Sequence, residues 1–256
     1  MSPEIFGIDS YTLMCAIGLI AAVAFLIVRR GRLEVNRIIL TSLIVSAVVG
    51  MIIGSKIVFY LTQLPVMVKS HVAAETYIRE FIEAGYVFYG GVLGAFAGLL
   101  VCCRMTRTTV HPVLNFFTPA FAFFHGFGRI GCFLAGCCYG IEVESFGFVM
   151  ADGVRRFPVQ LVESVFEFCM FFALLWIETL MLQKKKSPKL SFYYLMIYSF
   201  VRFLLEFVRG DEERGIFGPF STSQWIALLI LVIGLIVKLL PRVNARKYPK
   251  CPPSKP

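Results

Sequence analysis

Charge and histidine are both scarce in this chain. Only 16% of its 256 residues are Asp, Glu, Lys or Arg, and only three are histidine. Soluble domains average about 25% charged residues, so an ordinary water-facing surface cannot be assembled from this composition. Internal repeats, low-complexity tracts and any polar stretch large enough for a soluble domain with its own core are missing. A string of soluble modules is therefore excluded. Among the eight cysteines no paired C-x-x-C elements occur, and no histidines stand at matching distances. That spacing is poor for zinc, and no metal is expected.

What the chain has is apolar length. It is 58% hydrophobic, with 26 phenylalanines and a mean hydropathy of +0.77, against roughly 45–50% apolar residues in soluble domains. Several stretches hold about 18 or more nearly uncharged residues, enough to cross a hydrocarbon core of roughly 30 Å. These features predict an all-α polytopic membrane protein with seven transmembrane helices, over 11–28, 38–61, 86–103, 112–133, 158–182, 190–208 and 221–240. The whole chain, 1–256, reads as a single transmembrane domain. An outer amphipathic arm is expected at about 62–85, an outer loop at about 136–157 and a basic tail at 241–256.

Basic residues set the expected orientation. Arg29, Arg30, Arg32, Arg37, Arg104, Arg107, Lys184, Lys185, Lys186, Lys189, Lys238, Arg242, Arg246, Lys247, Lys250 and Lys255 all fall on one side of a seven-span arrangement. They are 16 of the 25 basic residues. The positive-inside rule makes that side cytoplasmic, with the N-terminus outside and the C-terminus inside. The net charge of +9 then belongs to flanks facing anionic lipid, and no nucleic-acid partner is expected. No cleavable signal peptide is expected either, because "MSPEIFGIDS" carries Glu4 and Asp9 and no basic n-region.

Some of the remaining charges fall at membrane depth, where each costs at least about 2.5–3.5 kcal/mol at mid-membrane. Arg129 lies near the outer end of span four. Arg202, Glu206 and Arg209 lie in the outer part of span six, Lys56 near the outer end of span two and Glu163 a turn or so into span five. Tyr11 and Tyr89 begin spans one and three on the same side. A polar site should therefore open toward the outer leaflet. In "YSFVRFLLEFVRGDEERG", Tyr198, Arg202, Glu206 and Arg209 recur at four, four and three, which predicts one helix face. That face is either a self-satisfied Arg–Glu–Arg ladder or an arginine aimed at an anion, with Arg129 as a second prong. A guanidinium stays protonated and grips phosphate with a bidentate fork, and an outer-leaflet phosphate is most simply a phospholipid head group.

Gly126, Gly128 and Gly131 match a G-x-G-x-x-G, but the run before them, "PVLNFFTPAFAFFH", looks like a membrane helix rather than the strand a dinucleotide site needs. Close helix packing and approach of a head group explain those glycines better. Gly90, Gly91, Gly94 and Gly98 form a small-residue face on span three, read as packing. Cys15, Cys102, Cys103 and Cys169 lie inside spans and read as small apolar fillers. Cys132, Cys137 and Cys138 pack by default, with a disulfide open to them in an oxidising compartment.

Several of these segments resemble one family. "GRIGCFLAGCCYG" at 128–140 is similar to the signature of prolipoprotein diacylglyceryl transferase. So are "YSFVRFLLEFVRGDE" at 198–212 and "STSQW" at 221–225. "FPVQLVES" at 157–164, "YTLMCAIGLIAAV" at 11–23 and "FYGGVLGAFAG" at 88–98 resemble its span-five, span-one and histidine–glycine–glycine segments. The resemblance implies a bacterial cytoplasmic-membrane enzyme that moves the diacylglyceryl group of phosphatidylglycerol to the lipobox cysteine thiol of a prolipoprotein signal peptide. A thioether forms and glycerol phosphate leaves; no cofactor is implied. Carried over, Arg129 matches the arginine that binds the head group and Arg202 the second required arginine. Tyr198, Glu206 and Arg209 match its neighbours, Tyr11 a span-one tyrosine, Gln160 and Glu163 the span-five segment, and Gly131 and Gly140 signature glycines.

Some positions depart from that pattern. Tyr89 stands where the family usually has a histidine, the usual candidate for general base. Cys132 and Ala135 replace common asparagines, and Cys137 a common glutamate. A tyrosine with an ordinary pKa of about 10 is a poor base at neutral pH. His125, four residues before Arg129 and on its helix face, is the one histidine expected near the clamp, either as a satisfied core residue or as a base. The expected catalytic residues are thus Tyr89, Arg202, His125 and Glu206. Binding is expected from Arg129, Arg209, Tyr198, Tyr11, Gln160, Glu163, Gly131 and Gly140. The alternative is a divergent, non-catalytic relative that binds phospholipid or a lipoprotein partner. A transporter is disfavoured, because the inner half lacks polar residues for a pathway.

Overall fold

The structure, a computed structural model, describes residues 4–5, 7–70, 87–150, 152–211 and 215–239. Among them the chain is helical. The long helices are α1 (Ser10–Val28), α2 (Arg37–Ser70), α3 (Phe88–Met105), α4 (Val110–Ala135), α5 (Val159–Gln183), α6 (Leu190–Leu205) and α7 (Thr222–Leu239). Three two-residue hairpins accompany them, β1–β2 (Glu4–Ile5, Ile8–Asp9), β3–β4 (Phe148–Val149, Arg155–Arg156) and β5–β6 (Ile216–Phe217, Phe220–Ser221).

Six of these helical segments, all but α4, are long and apolar enough to cross a membrane. The chain is accordingly a multi-pass membrane protein. The exception has a physical reason: α4 buries Asn115, Thr118 and His125, so protein rather than lipid must satisfy it. Asn115 donates to the Pro188 carbonyl at 2.7 Å and accepts from the Ser191 amide at 3.2 Å. The expected spans agree with the helices to within a few residues, except that α2 continues to Ser70 and takes up the start of the expected arm. The rest of that arm, 71–85, and the basic tail at 241–256 lie outside the described residues.

Local chemistry starts and stops the helices. Asp9 caps α1, its carboxylate accepting from the Thr12 amide at 2.8 Å, as an N-cap should. Gly136 ends α4 at φ +77°, the left-handed C-cap that glycine adopts without strain. Ser221 and Gln224 cap α7 reciprocally, the Ser221 amide donating to Gln224 Oε1 at 2.9 Å and the Gln224 amide to Ser221 Oγ at 3.2 Å. That is the capping box, and it explains the first and fourth residues of "STSQW".

The chain divides into two compact units. The first holds 1–137 and 160–191, hence α1 to α5; the second holds 138–159 and 192–256. In the first unit α2 and α3 pack through glycine. A Cβ on Gly94 would lie 2.0 Å from the Gly50 carbonyl oxygen, and one on Gly54 2.3 Å from that of Gly90. Real Cβ atoms do not approach so closely, so the expected small-residue face is a backbone-to-backbone seam. Leu26, Leu43, Leu99, Val113 and Phe116 form an apolar core with Cys102 and Cys103, which do act as apolar fillers. Cys169 differs: it is exposed on α5 and fills nothing.

In the second unit the 138–159 segment is organised around Arg156. Its guanidinium pairs with Asp152, reaches Glu142 at 3.7 Å and lies 4.3 Å over the Tyr139 ring. The hydrogen bond from Arg156 holds the Asp152 carboxyl below its ordinary value.

Candidate active site

At the end of the first unit where α1 and α3 begin, α4 and α5 face each other with charged side chains one turn apart. His125 and Arg129 stand four apart on α4; Glu163 and Glu167 stand four apart on α5. The two helices run in opposite directions, so the pairs cross in register. Arg129 Nη2 meets Glu163 Oε1 at 3.0 Å, and His125 Nδ1 meets Glu167 Oε1 at 3.0 Å. The carboxylates are almost wholly buried, at 2% and 0%. Buried charges persist only when paired, and here each rung supplies its own partner.

Phe88 covers both rungs. Its ring stacks on the His125 imidazole at 4.6 Å and 23°, and the Arg129 guanidinium carbon lies 6.0 Å from its centroid. Phe121 leans on the same imidazole at 5.8 Å. Behind α4, the Ser164 hydroxyl donates to the Gly126 carbonyl at 2.8 Å, and Gln160 Nε2 donates to the Cys137 carbonyl at 2.8 Å. Gly131 lets α1 close in: a Cβ there would lie 3.1 Å from Tyr11 Cα. Beside this ladder a cavity of about 280 Å³ opens among α1 to α4, lined chiefly by apolar groups including Tyr11, Ile52, Phe88, Val92, Phe121 and Phe124. Tyr89 follows Phe88 in sequence but is not part of this lining; it is 36% exposed, its ring edge-on to Phe88 at 5.9 Å.

The second unit holds the other set. Arg202 Nη2 meets Glu206 Oε2 at 2.8 Å and donates to Ser223 Oγ at 3.4 Å. Arg209 reaches Glu206 at 3.8 Å, and its Nε donates to Asp211 at 2.8 Å. Burial is the largest single influence on Arg209 and opposes its charge, but the hydrogen bond to Asp211 and the electrostatic attraction of Cys138, Asp211 and Glu206 together outweigh it and raise the guanidinium's pKa. The expected helix face needs one correction. Regular helix stops at Leu205, Glu206–Val208 form a 3-10 turn and Arg209 is extended at φ −82°, ψ 141°. Arg209 therefore meets Glu206 through a turn and not through helical spacing. Its extended backbone instead bridges Gly140, and the Gly210 amide donates to the Tyr139 carbonyl at 3.0 Å. A Cβ on Gly140 would lie 2.4 Å from the Phe157 carbonyl oxygen, so this signature glycine is required by close backbone approach. Tyr198 stacks flat on Tyr194 at 5.7 Å.

Comparison with known proteins bears on the whole chain. The sequence model of the family described as prolipoprotein diacylglyceryl transferase matches residues 2–240. The chain belongs to that family. It is 34% identical to phosphatidylglycerol–prolipoprotein diacylglyceryl transferase 2 of Clostridium perfringens, over 95% of this chain and 96% of the relative. A second relative, the phosphatidylglycerol–prolipoprotein diacylglyceryl transferase of Clostridium tetani, is 31% identical over 91% and 94% of the two chains. The chain is thus a member of a transferase family of lipoprotein biosynthesis.

The structure gathers the expected residues of this transferase relative in two places. Tyr11, Tyr89, His125, Arg129, Gly131, Gln160 and Glu163 fall in the first unit; Gly140, Tyr198, Arg202, Glu206 and Arg209 fall in the second. Sequence reading missed Glu167, Phe88 and Ser223. For Glu167 a signal existed, since Glu163-x3-Glu167 repeats the spacing of His125-x3-Arg129. Phe88 was masked by 25 other phenylalanines.

Proposed function

We propose that the protein transfers the diacylglyceryl group of phosphatidylglycerol to the lipobox cysteine thiol of prolipoproteins, at a site facing the outer leaflet of the bacterial cytoplasmic membrane. The topology that goes with this reading has seven spans, the N-terminus outside and the C-terminus inside. The observation that carries it is a guanidinium held by a buried carboxylate, Arg129 on Glu163 at 3.0 Å, within a chain that matches the family over 2–240.

In this mechanism Arg129, oriented by Glu163, binds the lipid phosphate, and Arg202, oriented by Glu206 with Arg209 and Tyr198 supporting it, is the second arginine that the family resemblance requires. The cavity beside Phe88, apolar and about 280 Å³, takes an acyl chain. The thiol gives up its proton, its sulfur bonds to the terminal glyceryl carbon, and the carbon–oxygen bond to phosphate breaks. The electron pair leaves with glycerol phosphate, whose growing charge the arginines stabilise. His125 is the proton acceptor, and Tyr89 serves as a hydrogen-bonding neighbour of the head group. Tyr89 in the place of a histidine favours one other reading, a relative that binds lipid without transfer. Purified chain incubated with phosphatidylglycerol and a lipobox peptide separates the two: a thioether-linked diacylglyceryl peptide by mass spectrometry supports transfer, and unmodified peptide supports binding alone.

A further inference from the structure

The deeper rung of the α4–α5 ladder is His125 with Glu167, exposed by 2% and 0%. Four observations there converge. The carboxylate lies 3.0 Å from Nδ1, the distance of a charge-assisted hydrogen bond. Phe88 stacks on the imidazole face and Phe121 leans against it, so the ring plane is fixed. Those same two rings line the apolar cavity, so the imidazole and the cavity share two aromatic walls. Phe88 also immediately precedes Tyr89, the position where the family resemblance calls for a histidine.

A carboxylate on Nδ1 places the proton there, leaves Nε2 as the basic nitrogen and stabilises the imidazolium that forms once Nε2 takes a proton. We infer that Glu167 is the positioning residue of a His125–Glu167 dyad, which supplies from α4 the proton acceptor absent from the start of α3. The inference rests on the proposed transfer reaction and extends it by one residue. The lipobox S–H proton passes to Nε2 and the sulfur takes the glyceryl carbon. The carbon–oxygen pair goes to the departing phosphate, and the imidazolium proton follows it. No proton passes to Glu167 in this sequence of steps. Titratable or charged side chains on the elements packed here also include Glu163 on α5, Arg129 on α4, Tyr89 on α3, and Tyr11 and Cys15 on α1; the partner that meets Nδ1 at 3.0 Å is Glu167.

The test is transfer to a lipobox peptide by the full chain in phosphatidylglycerol vesicles, measured across pH for wild type, Glu167→Gln, His125→Gln and the double variant. General-base catalysis is worth about 10²–10⁴-fold, and Glu167→Gln should forfeit about 10- to 100-fold at neutral pH. The loss should shrink above the thiol's own pKa of about 8.5, with the lipid KM unchanged. The double variant should be no slower than His125→Gln alone. A Glu167→Gln rate equal to wild type at every pH overturns the dyad, as does a loss that is flat with pH and multiplies with that of His125→Gln. Absence of thioether from the wild-type chain overturns the transfer reaction itself. Should Glu167→Gln not fold, nitrogen-15 NMR of the histidine-labelled wild type decides: a protonated Nδ1 on His125 supports the dyad, and a protonated Nε2 with bare Nδ1 overturns it.

Discussion

Arg129 on α4 and Glu163 on α5 meet at 3.0 Å, and the arginine keeps 11% of its side chain exposed while the glutamate keeps 2%. The carboxylate is thus the fixed partner and the guanidinium the one with a face left toward its surroundings. Removing the fixed partner strands a charge. Glu163→Ala should cost about 3–5 kcal/mol, the range for breaking a buried ion pair, and Glu163→Gln less, because an acceptor oxygen remains. Thermal unfolding in detergent measures this, and an alanine variant that melts with wild type contradicts the pairing.

The proposed phosphate grip depends on the shape of the arginine fork and not on its charge alone. Arg129→Lys and Arg202→Lys keep the charge but lose bidentate geometry. Each should therefore slow transfer by about 10-fold or more, which corresponds to roughly 1.4 kcal/mol of transition-state binding. Turnover with lysine at both positions that matches wild type makes the arginines structural.

The α2–α3 seam allows no side chain. A Cβ at Gly94 would lie 2.0 Å from the backbone oxygen of Gly50, and backbone cannot rotate away as a side chain can. Gly94→Ala should destabilise by about 1–3 kcal/mol, as overpacking does, and Gly94→Leu should abolish folded protein. Gly128, with open space around its Cα, should tolerate alanine. Size-exclusion profiles of the three variants in detergent check the order.

How much of this was legible follows the kind of force involved. Apolar length is written residue by residue, so the helices could be placed within a few residues, and the small-residue face of Gly90, Gly94 and Gly98 pointed to a packing seam. Arg209 shows where periodicity stops helping: four, four and three fits one helical face, but the chain leaves regular helix at Leu205 and reaches Glu206 through a turn. Glu167 shows the opposite limit. Its meaning comes from a residue 42 positions earlier on an antiparallel helix, and only tertiary packing states that partnership. Phe88 is similar, since one phenylalanine among 26 acquires a role only by lying on an imidazole.

Orientation is tested by labelling. In a variant otherwise lacking cysteine, Ser145→Cys, at an exposed position of the 136–157 loop, should react with an impermeant reagent added from outside, and Lys185→Cys should not, as the distribution of basic residues requires. The reverse pattern would invert the topology and move the site to the inner leaflet.

The most direct measurement of the central claim counts both products of one reaction. Purified protein in phosphatidylglycerol vesicles is given a lipobox peptide, and released glycerol phosphate and thioether-linked peptide are quantified together. Transfer predicts that both accumulate in equal amounts and that neither forms with a peptide whose cysteine is replaced by serine. Vesicle binding without release of glycerol phosphate, or release without thioether, contradicts the assignment of this chain as a diacylglyceryl transferase.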